Sequence, residues 1–400
     1  MEVLLLGTGS AEELPRPGCG CVTCAAGTAR RPAAARLAGS VLLDPPPGTP
    51  GGSAALTTRT GAGASRTPGP GSGGPLVAGD LKLQVRVLAA GTASGQPSGR
   101  RVVLDVAASD GTRLLWAPHT GPLPETTTQA LRDAAFDAVL LDVQDGADPA
   151  RFAHQIARLR RVGAVTGSTD VLAVGIGHAG PPPDELAGWL AGWGARMPAD
   201  GARLELSAPA PARSGTPAPR RRLLLGAAGS GKSAVAERLL AAEPEVSYLA
   251  TGPGPDPGAD PEWARRVAAH RARRPSWWRT VEATDVPAAL AAADVPVLLD
   301  SLGTWLTGAL HRAGAWDSDP GWRDRLDAEV GGLVEAWRQV PVPAVAVSEE
   351  VGWGVVPDAA SGRLFRQELG ALNQRLAGQS EQAWLVVAGR CLPLPGAGAR

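Results

Sequence analysis

The chain has 400 residues, of which 44% are apolar and 20% are charged. This length predicts two or three domains, and the composition excludes a chain that is disordered throughout. Arg and Lys together number 39, as do Asp and Glu, so the formal net charge is zero. A neutral chain is not expected to bind nucleic acid or an anionic membrane. The lysines are Lys82 and Lys232 alone, which makes a lysine within a motif informative.

The cysteines and the apolar runs bear on where the protein works. Cys19, Cys21 and Cys24 lie close together and Cys391 stands apart, which is too few cysteines to brace a chain of this length with disulfides. The first residues lack the basic segment of a signal peptide, and no run reaches the roughly 18 apolar residues of a membrane span. We therefore expect a cytoplasmic protein with reduced thiols.

In chain order, the first half is rich in β-type runs. These occupy residues 3–6, 40–43, 83–88, 101–106, 114–116, 138–141 and 171–174, and helical patterns lie near 126–135, 150–161 and 183–193. Residues 45–75 are almost all Pro, Gly, Ser, Thr and Ala, which predicts a flexible insert. The Pro- and Ala-rich stretch 207–220 predicts an extended linker. The expected domains are therefore 1–206 and 221–400.

The second half alternates between the two kinds of element. Short apolar runs at 222–225, 246–250, 297–300, 344–348 and 384–388 are separated by helical patterns, the first of them at 233–242. Strands that alternate with helices predict an α/β domain with a mostly parallel sheet.

The strongest motif is GAAGSGKS at residues 226–233, which matches the phosphate-binding P-loop pattern in full. A strand-like run precedes it and a helical run follows it, as the motif requires. Glycines allow backbone N–H groups to turn inward around phosphate oxygens, and the helix N-terminus adds a positive dipole. Lys232 is expected to reach the terminal phosphates and the Ser233 hydroxyl to bind Mg²⁺. The alternative, a turn in a chain rich in Gly and Ala, is weaker because lysine is so rare here.

An acidic residue at the end of a neighbouring strand normally helps to hold the Mg²⁺ ion. The run VPVLLD ends at Asp300, which is the best candidate. Taken alone, Asp300 fits equally well as the cap of the following segment.

His270 lies in the segment ARRVAAHRARRPSWWRTVEA, with Arg266, Arg271, Arg273 and Arg274 close by in the chain. An imidazole beside several guanidinium groups is typical of a nucleophile that faces a polyphosphate, because the arginines neutralise the oxygens of the phosphate under attack. Spacing alone also allows a solvated basic helix with an incidental histidine.

Taken together, residues 221–394 resemble the bifunctional adenosylcobinamide kinase / adenosylcobinamide-phosphate guanylyltransferase family of cobalamin biosynthesis. The resemblance rests on ordered blocks: GAAGSGKS, SYLATG, the His270 segment, VLLDSLGTWLTGAL, EVGWGVVP with the following RLFRQELGALNQ, and AWLVVAGRCLPL. Two departures stand out. The stretch TGPGPDPGADPEW is rich in Pro and Gly, and Glu349 stands where the family often has Asn, which bears on phosphate affinity because like charges repel.

The resemblance implies a mechanism. The family phosphorylates the hydroxyl of adenosylcobinamide with ATP or GTP, and then transfers GMP from GTP through a covalent GMP–histidine, here His270, with Lys232 as the second catalytic residue. The implied nucleotide contacts are Gly226, Ala227, Ala228, Gly229, Ser230, Gly231, Lys232, Ser233, Thr251, Gly252, Pro253, Arg271, Ala272, Arg273, Arg274, Glu282 and Asp300. Glu350 to Pro357 are assigned to the architecture of the site. The family also implies a homo-oligomer and Mg²⁺ held by Ser233 and Asp300.

The first half resembles metallo-β-lactamase-fold hydrolases of the phosphodiesterase type, in the segment LLGTGSAEELPRPGCGCVTC. The implied fold is an αββα sandwich. The H-x-H-x-D-H run that would hold two catalytic metals is missing, so we expect a degenerate hydrolase domain that serves as a scaffold. Cys19, Cys21 and Cys24 are candidates for one structural Zn²⁺ with a fourth ligand from elsewhere, although idle thiols fit as well. No role is assigned to His119, His154, His178 or His311.

Three alternative functions remain at this point. A P-loop kinase or NTPase for another substrate would phosphorylate without forming a protein–GMP adduct. An inactive corrinoid carrier is disfavoured by the intact Gly231, Lys232 and Ser233. A metal-dependent hydrolase in the first half would bind two metals per chain, whereas we expect at most one.

Overall fold

The computed structural model describes residues 1–7, 19, 21, 24–25, 40–44, 54–57, 74–78, 81–92, 100–117, 123–143, 149–178, 180–206, 220–252, 261–283 and 285–396. The chain divides into two compact units. The first is Met1–Thr216, grouped with Ala241–Pro244, and the second comprises Pro217–Leu240 and Glu245–Arg400. The division between Thr216 and Pro217 falls within 207–220, of which residues 207–219 lie outside the described residues. The domain boundaries given above therefore stay a prediction.

The first unit contains two sheets. Its strands are β1 Glu2–Gly7, β2 Ser40–Asp44, β3 Ala54–Thr57, β4 Gly74–Ala78, β5 Leu81–Thr92, β6 Arg100–Ala108, β7 Arg113–Ala117, β8 Ala138–Asp142, β9 Asp170–Val174, β10 Ala195–Arg196 and β11 Ala202–Glu205. Its helices are α1 Glu125–Ala130, α2 Ala150–Arg161 and α3 Pro183–Gly192. In the described part, one sheet has the order β11-β1-β2-β3 and the other β10-β9-β8-β7-β6-β5-β4.

The side chains of the larger sheet alternate between its two faces, and β7 contributes to a separate core cluster on each face. Leu114 and Trp116 of β7 pack with Val3 and Leu5 of the smaller sheet. Their neighbours on the strand point the other way, into a cluster with Phe152 of α2 and residues of α3. The described residues therefore form three layers in the order helix, sheet, sheet, as three layers of an αββα sandwich would.

The stretch 45–75, for which a flexible insert was expected, contains β3 and the first residues of β4. β3 pairs antiparallel with β2, and β4 pairs antiparallel with β5. Backbone ladders supply these hydrogen bonds whatever the side chains are, so a stretch without apolar periodicity can still add strands to a sheet edge. The rest of that stretch, 45–53 and 58–73, lies outside the described residues.

The second unit is an α/β domain. Its elements are β12 Arg221–Gly226, α4 Lys232–Leu239, β13 Ser247–Ala250, α5 Pro261–Arg273, β14 Arg279–Glu282, α6 Val286–Ala291, β15 Val297–Asp300, α7 Leu302–Ala313, α8 Trp322–Gln339, β16 Ala344–Glu349, α9 Ala360–Ala377, β17 Gln382–Val387 and β18 Arg390–Leu394. The sheet order is β14-β13-β15-β16-β12-β17-β18. All pairs are parallel except the β17–β18 hairpin, which confirms the predicted mostly parallel sheet.

The strand order brings the functional segments together. In the register, Gly226 at the end of β12 faces Glu349 at the end of β16, and Ala250 at the end of β13 faces Asp300 at the end of β15. The carboxyl ends of these parallel strands therefore meet at one edge of the sheet, where open α/β sheets bind their ligands. None of the described helices is long and apolar enough to span a membrane.

Candidate active site

The phosphate loop turns between β12 and α4 through glycines that no other residue would replace without strain. Gly229 and Gly231 have φ angles of 73° and 93°, in the left-handed region that favours glycine. A Cβ added to Gly226 would lie 2.7 Å from the carbonyl oxygen of Val386. The loop is also tied to the β17–β18 turn, where the amide of Gly389 donates to the carbonyl of Ser230 at 2.8 Å. The loop is therefore held in shape by its own backbone.

Lys232 is buried at the start of α4 and points into the loop. Its ammonium group donates to the Ala227 carbonyl at 3.5 Å and lies 3.6 Å from the Glu349 carboxylate. The second carboxylate oxygen of Glu349 is buried and receives no hydrogen bond from the described residues. The loop, the lysine and the N-terminus of α4 together present the positive groups that a phosphate needs.

Asp300 ends β15 and is almost fully buried beside the loop. Its carboxylate accepts a hydrogen bond from the Tyr248 hydroxyl at 3.0 Å. Burial alone would raise the pKa of Asp300, but His270, Tyr248 and the Ser233 hydroxyl favour the ionised form and hold the pKa below its ordinary value. The Ser233 hydroxyl and the Asp300 carboxylate thus place two side-chain oxygens next to each other, and oxygen is the ligand atom that Mg²⁺ prefers.

His270 lies in the last turn of α5 and faces Asp300. Its Nδ1 is 3.7 Å from the Asp300 carboxylate oxygen that also accepts from Tyr248. Arg274 follows the helix and donates to the His270 carbonyl at 3.1 Å. The guanidinium carbon of Arg274 is also 3.6 Å from the ring centroid of Tyr248, which ties the end of α5 to β13. His270 therefore faces Asp300 from a helix whose described side chains are mostly exposed.

The other arginines of this segment have carboxylate partners. Arg273 donates to Glu237 of α4 at 3.1 Å, and Arg271 lies 3.8 Å from Glu282 at the end of β14. Both arginines nevertheless line the same cavity as His270. The side chain of Arg266 lies outside the described residues.

These groups surround one cavity of about 420 Å³. Of the residues expected to contact the nucleotide, those that line it are Ala228, Gly229, Gly231, Lys232, Ser233, Gly252, Arg271, Arg273, Arg274, Glu282 and Asp300. Gly226, Ala227, Ser230, Thr251 and Ala272 are not among the lining residues, and Pro253 lies outside the described residues. Thr251 instead supports the neighbouring loop, since its hydroxyl donates to the Ser301 carbonyl at 2.6 Å.

The sequence reasoning missed several lining residues, among them Tyr248, Val267, Thr280, Ser301 and Thr304. Tyr248 could have been identified from the sequence, because it is the single tyrosine of the chain and lies on a predicted strand. The hydroxyl residues could not, because only the pairing of distant strands brings them to the cavity.

In the first unit the three clustered cysteines meet a histidine that the sequence analysis left without a role. His178 Nδ1 lies 3.6 Å from Cys19 Sγ and 4.0 Å from Cys21 Sγ. The ligand atoms of these residues and Cys24 all lie within 4.8 Å of one another. The backbone amide of Cys24 and the His178 ring lower the pKa of Cys21 to about 6, which favours its thiolate.

The remaining histidines lie elsewhere. His154 is on α2 and His311 on α7, and His119 lies outside the described residues. The sequence alone could not link His178 to the cysteines, because 157 positions separate it from Cys21.

The second unit is therefore a P-loop nucleotide-binding domain with a histidine at its phosphate cavity. Residues 222–394 match the family described as cobinamide kinase / cobinamide phosphate guanyltransferase. A similar protein is the bifunctional adenosylcobalamin biosynthesis protein CobP of Pseudomonas aeruginosa, 42% identical over 184 residues, which cover 44% of this chain and 98% of that protein. CobU of Salmonella typhimurium is 37% identical over 177 residues, which cover 42% of this chain and 95% of that protein. The chain belongs to this family.

Solved structures give a second similarity. A diphosphatase from the PhnP family has a TM-score of 0.37 at 14% identity, covering 51% of this chain and 98% of that chain. Zn²⁺-bound PqqB from Methylobacterium extorquens has a TM-score of 0.36 at 13% identity, covering 51% of this chain and 100% of that chain.

Proposed function

We propose that the protein phosphorylates the hydroxyl of adenosylcobinamide with ATP or GTP and then transfers GMP from GTP to that phosphate, as a step of cobalamin biosynthesis. The transfer passes through GMP bound covalently to His270, with pyrophosphate as the leaving group. The observation that carries the proposal is that the His270 ring lines the same cavity as Lys232 of the phosphate loop. A nucleophile and a triphosphate cradle in one cavity suit nucleotidyl transfer as well as phosphoryl transfer.

Different residues of the cavity would bind the phosphates, neutralise their charge and hold Mg²⁺. The loop amides and Lys232 bind the phosphates, and Arg271, Arg273 and Arg274 neutralise the phosphate oxygens under attack. Ser233 and Asp300 would hold Mg²⁺, since their side-chain oxygens are adjacent. When bound, that ion would neutralise phosphate charge. Such a cytoplasmic enzyme would assemble as a homo-oligomer, as the family resemblance implies.

The test uses GTP labelled at the α-phosphate. We expect the full chain to acquire label that acid removes and alkali does not, as for a phosphoramidate. His270→Ala should abolish the label and leave phosphorylation of adenosylcobinamide largely intact, whereas Lys232→Ala should weaken both activities because both use the same cradle. A matched control is His311→Ala, because His311 is not among the residues that line the cavity. Full labelling of His270→Ala would refute the assignment, and phosphorylation without any label would favour a kinase of another type.

For the first unit we propose a degenerate metallo-β-lactamase-like scaffold that holds one structural Zn²⁺. The support is the set of three thiols and one imidazole gathered within 4.8 Å, since sulfur and nitrogen ligands in fours are typical of structural zinc sites. Cys19, Cys21, Cys24 and His178 would be its ligands, and the lowered pKa of Cys21 suits a thiolate ligand. Its contribution would be to hold these segments of the chain together.

Elemental analysis tests this proposal. We expect one zinc per chain in the wild type, and a loss of zinc in His178→Ala but not in the control His154→Ala. Two metals per chain would instead favour a hydrolase site, and an unchanged zinc content in His178→Ala would contradict the ligand set.

A further inference from the structure

His270 has two ring nitrogens, and either one could attack GTP in the transfer step proposed above. We propose that Tyr248 and Asp300 fix the imidazole so that Nε2 attacks GTP, with Tyr248 as a positioning residue that acts through Asp300. This inference rests on the function proposed above.

The first support is the arrangement around Asp300. One oxygen of its carboxylate accepts from the Tyr248 hydroxyl at 3.0 Å and lies 3.7 Å from His270 Nδ1. An ionised carboxylate can only accept hydrogen bonds, so the ring nitrogen that faces it carries the hydrogen. A neutral imidazole has one N–H and one lone pair, and the lone pair is therefore on Nε2. The distance of 3.7 Å exceeds a hydrogen bond, and such contacts often tighten when substrate binds.

The second support is that Tyr248 is fixed in the role of a donor. Its hydroxyl lies 3.0 Å from the Asp300 carboxylate oxygen, which can only accept, so the hydroxyl is the donor. Tyr248 is on β13, next to the strand that ends in Asp300. The ring also stacks against Arg274, which donates to the carbonyl of His270 itself. Tyr248 thus contacts Asp300, which faces the imidazole, and Arg274, which donates to the backbone carbonyl of His270.

The chemistry then balances without a proton transfer. The Nε2 lone pair forms a bond to the α-phosphorus of GTP, and the bond from that phosphorus to the oxygen bridging toward the β-phosphate breaks, which releases pyrophosphate. The Nδ1 hydrogen stays on the ring, and the positive charge of the substituted imidazole faces the Asp300 carboxylate. In the second half, a phosphate oxygen of the acceptor attacks the same phosphorus, the N–P bond breaks, and Nε2 regains its lone pair.

The test measures which nitrogen of His270 carries GMP and how fast the adduct forms. Wild-type enzyme is reacted with GTP, digested, and the linkage is assigned by phosphorus NMR, which distinguishes the two histidine isomers. We expect attachment at Nε2. Tyr248→Phe keeps the ring over Arg274 and removes only the hydroxyl, and its single-turnover rate of adduct formation should fall about tenfold, the scale for a lost hydrogen bond to a charged group. Its rate of adenosylcobinamide phosphorylation should fall less than the rate of adduct formation, because that step does not use His270.

A hydroxyl deletion of similar size elsewhere is the control. Thr307→Val removes a hydroxyl that donates to the Gly303 carbonyl within α7, and both rates should stay at the wild-type level. Attachment at Nδ1, or equal losses of both rates in Tyr248→Phe, would overturn the inference, as would an unchanged adduct rate. Failure of the proposed function looks different, because the wild type would then form no adduct at all.

Discussion

Alanine at Gly231 should destabilise the second unit, and alanine at Gly332 should stabilise it. Gly231 has a φ of 93°, and a Cβ there would lie 3.1 Å from the Cα of Gly389. A left-handed residue with a Cβ costs about 1–2 kcal/mol, before any crowding of Gly389. Gly332 lies inside α8 with nothing within 4 Å of an added Cβ, so alanine there should gain about 0.5–1 kcal/mol.

The assay is equilibrium denaturation of the full chain, with and without GTP. The transition that GTP stabilises belongs to the second unit, because a ligand stabilises the state that binds it. Against the wild type, the midpoint of this transition should move to lower denaturant in Gly231→Ala and to higher denaturant in Gly332→Ala. If both substitutions move it in the same direction, or Gly231→Ala leaves it unchanged, the argument from backbone conformation and space is refuted.

Three further expectations follow from single side chains of this unit. Trp337→Ala should cost about 3–5 kcal/mol of unfolding free energy in denaturation, because the ring is fully buried and its N–H donates to Ser380 at 3.0 Å. Ser301→Ala should cost about 0.5–2 kcal/mol in the same measurement, because its hydroxyl caps α7 in a capping box with Thr304. The native pKa of Asp300 is lowered, so its carboxylate stabilises the fold above its unfolded pKa, and this contribution is lost as the pH falls through the native pKa. Denaturation at a series of pH values should therefore show a steeper acid loss in the wild type than in Asp300→Asn.

Some residues of the cavity would serve both proposed reactions, and others would serve only the transfer of GMP. Lys232 and the loop amides would serve any triphosphate, whichever phosphorus is attacked. His270 and Tyr248 form a second group that would matter only when the α-phosphorus is attacked, whereas Asp300 would also serve the Mg²⁺ site used by both steps. Substitutions in the first group should therefore impair both steps, and substitutions of His270 or Tyr248 should impair one.

The sequence was sufficient to predict those features that depend on residues close together in the chain. The loop at 226–233 is set by its own glycines and by the strand and helix beside it, so the motif could be read directly, as could the alternation that gives a parallel sheet. His270 was found because its arginines are neighbours in the chain. The strand Ala54–Thr57 was missed because its support is the ladder of β2 and not its own pattern.

Contacts between distant segments were decided by the tertiary structure alone. Tyr248 and Asp300 are 52 positions apart and meet because their strands pair, and His178 joins Cys21 across 157 positions. Periodicity and motifs report what a residue's near neighbours in the chain do, whereas strand order and register determine which distant side chains become neighbours in space. The sequence therefore determined the family, the phosphate loop and the proposed nucleophile, and the fold decided which groups lie beside His270 and which histidine lies beside the clustered cysteines.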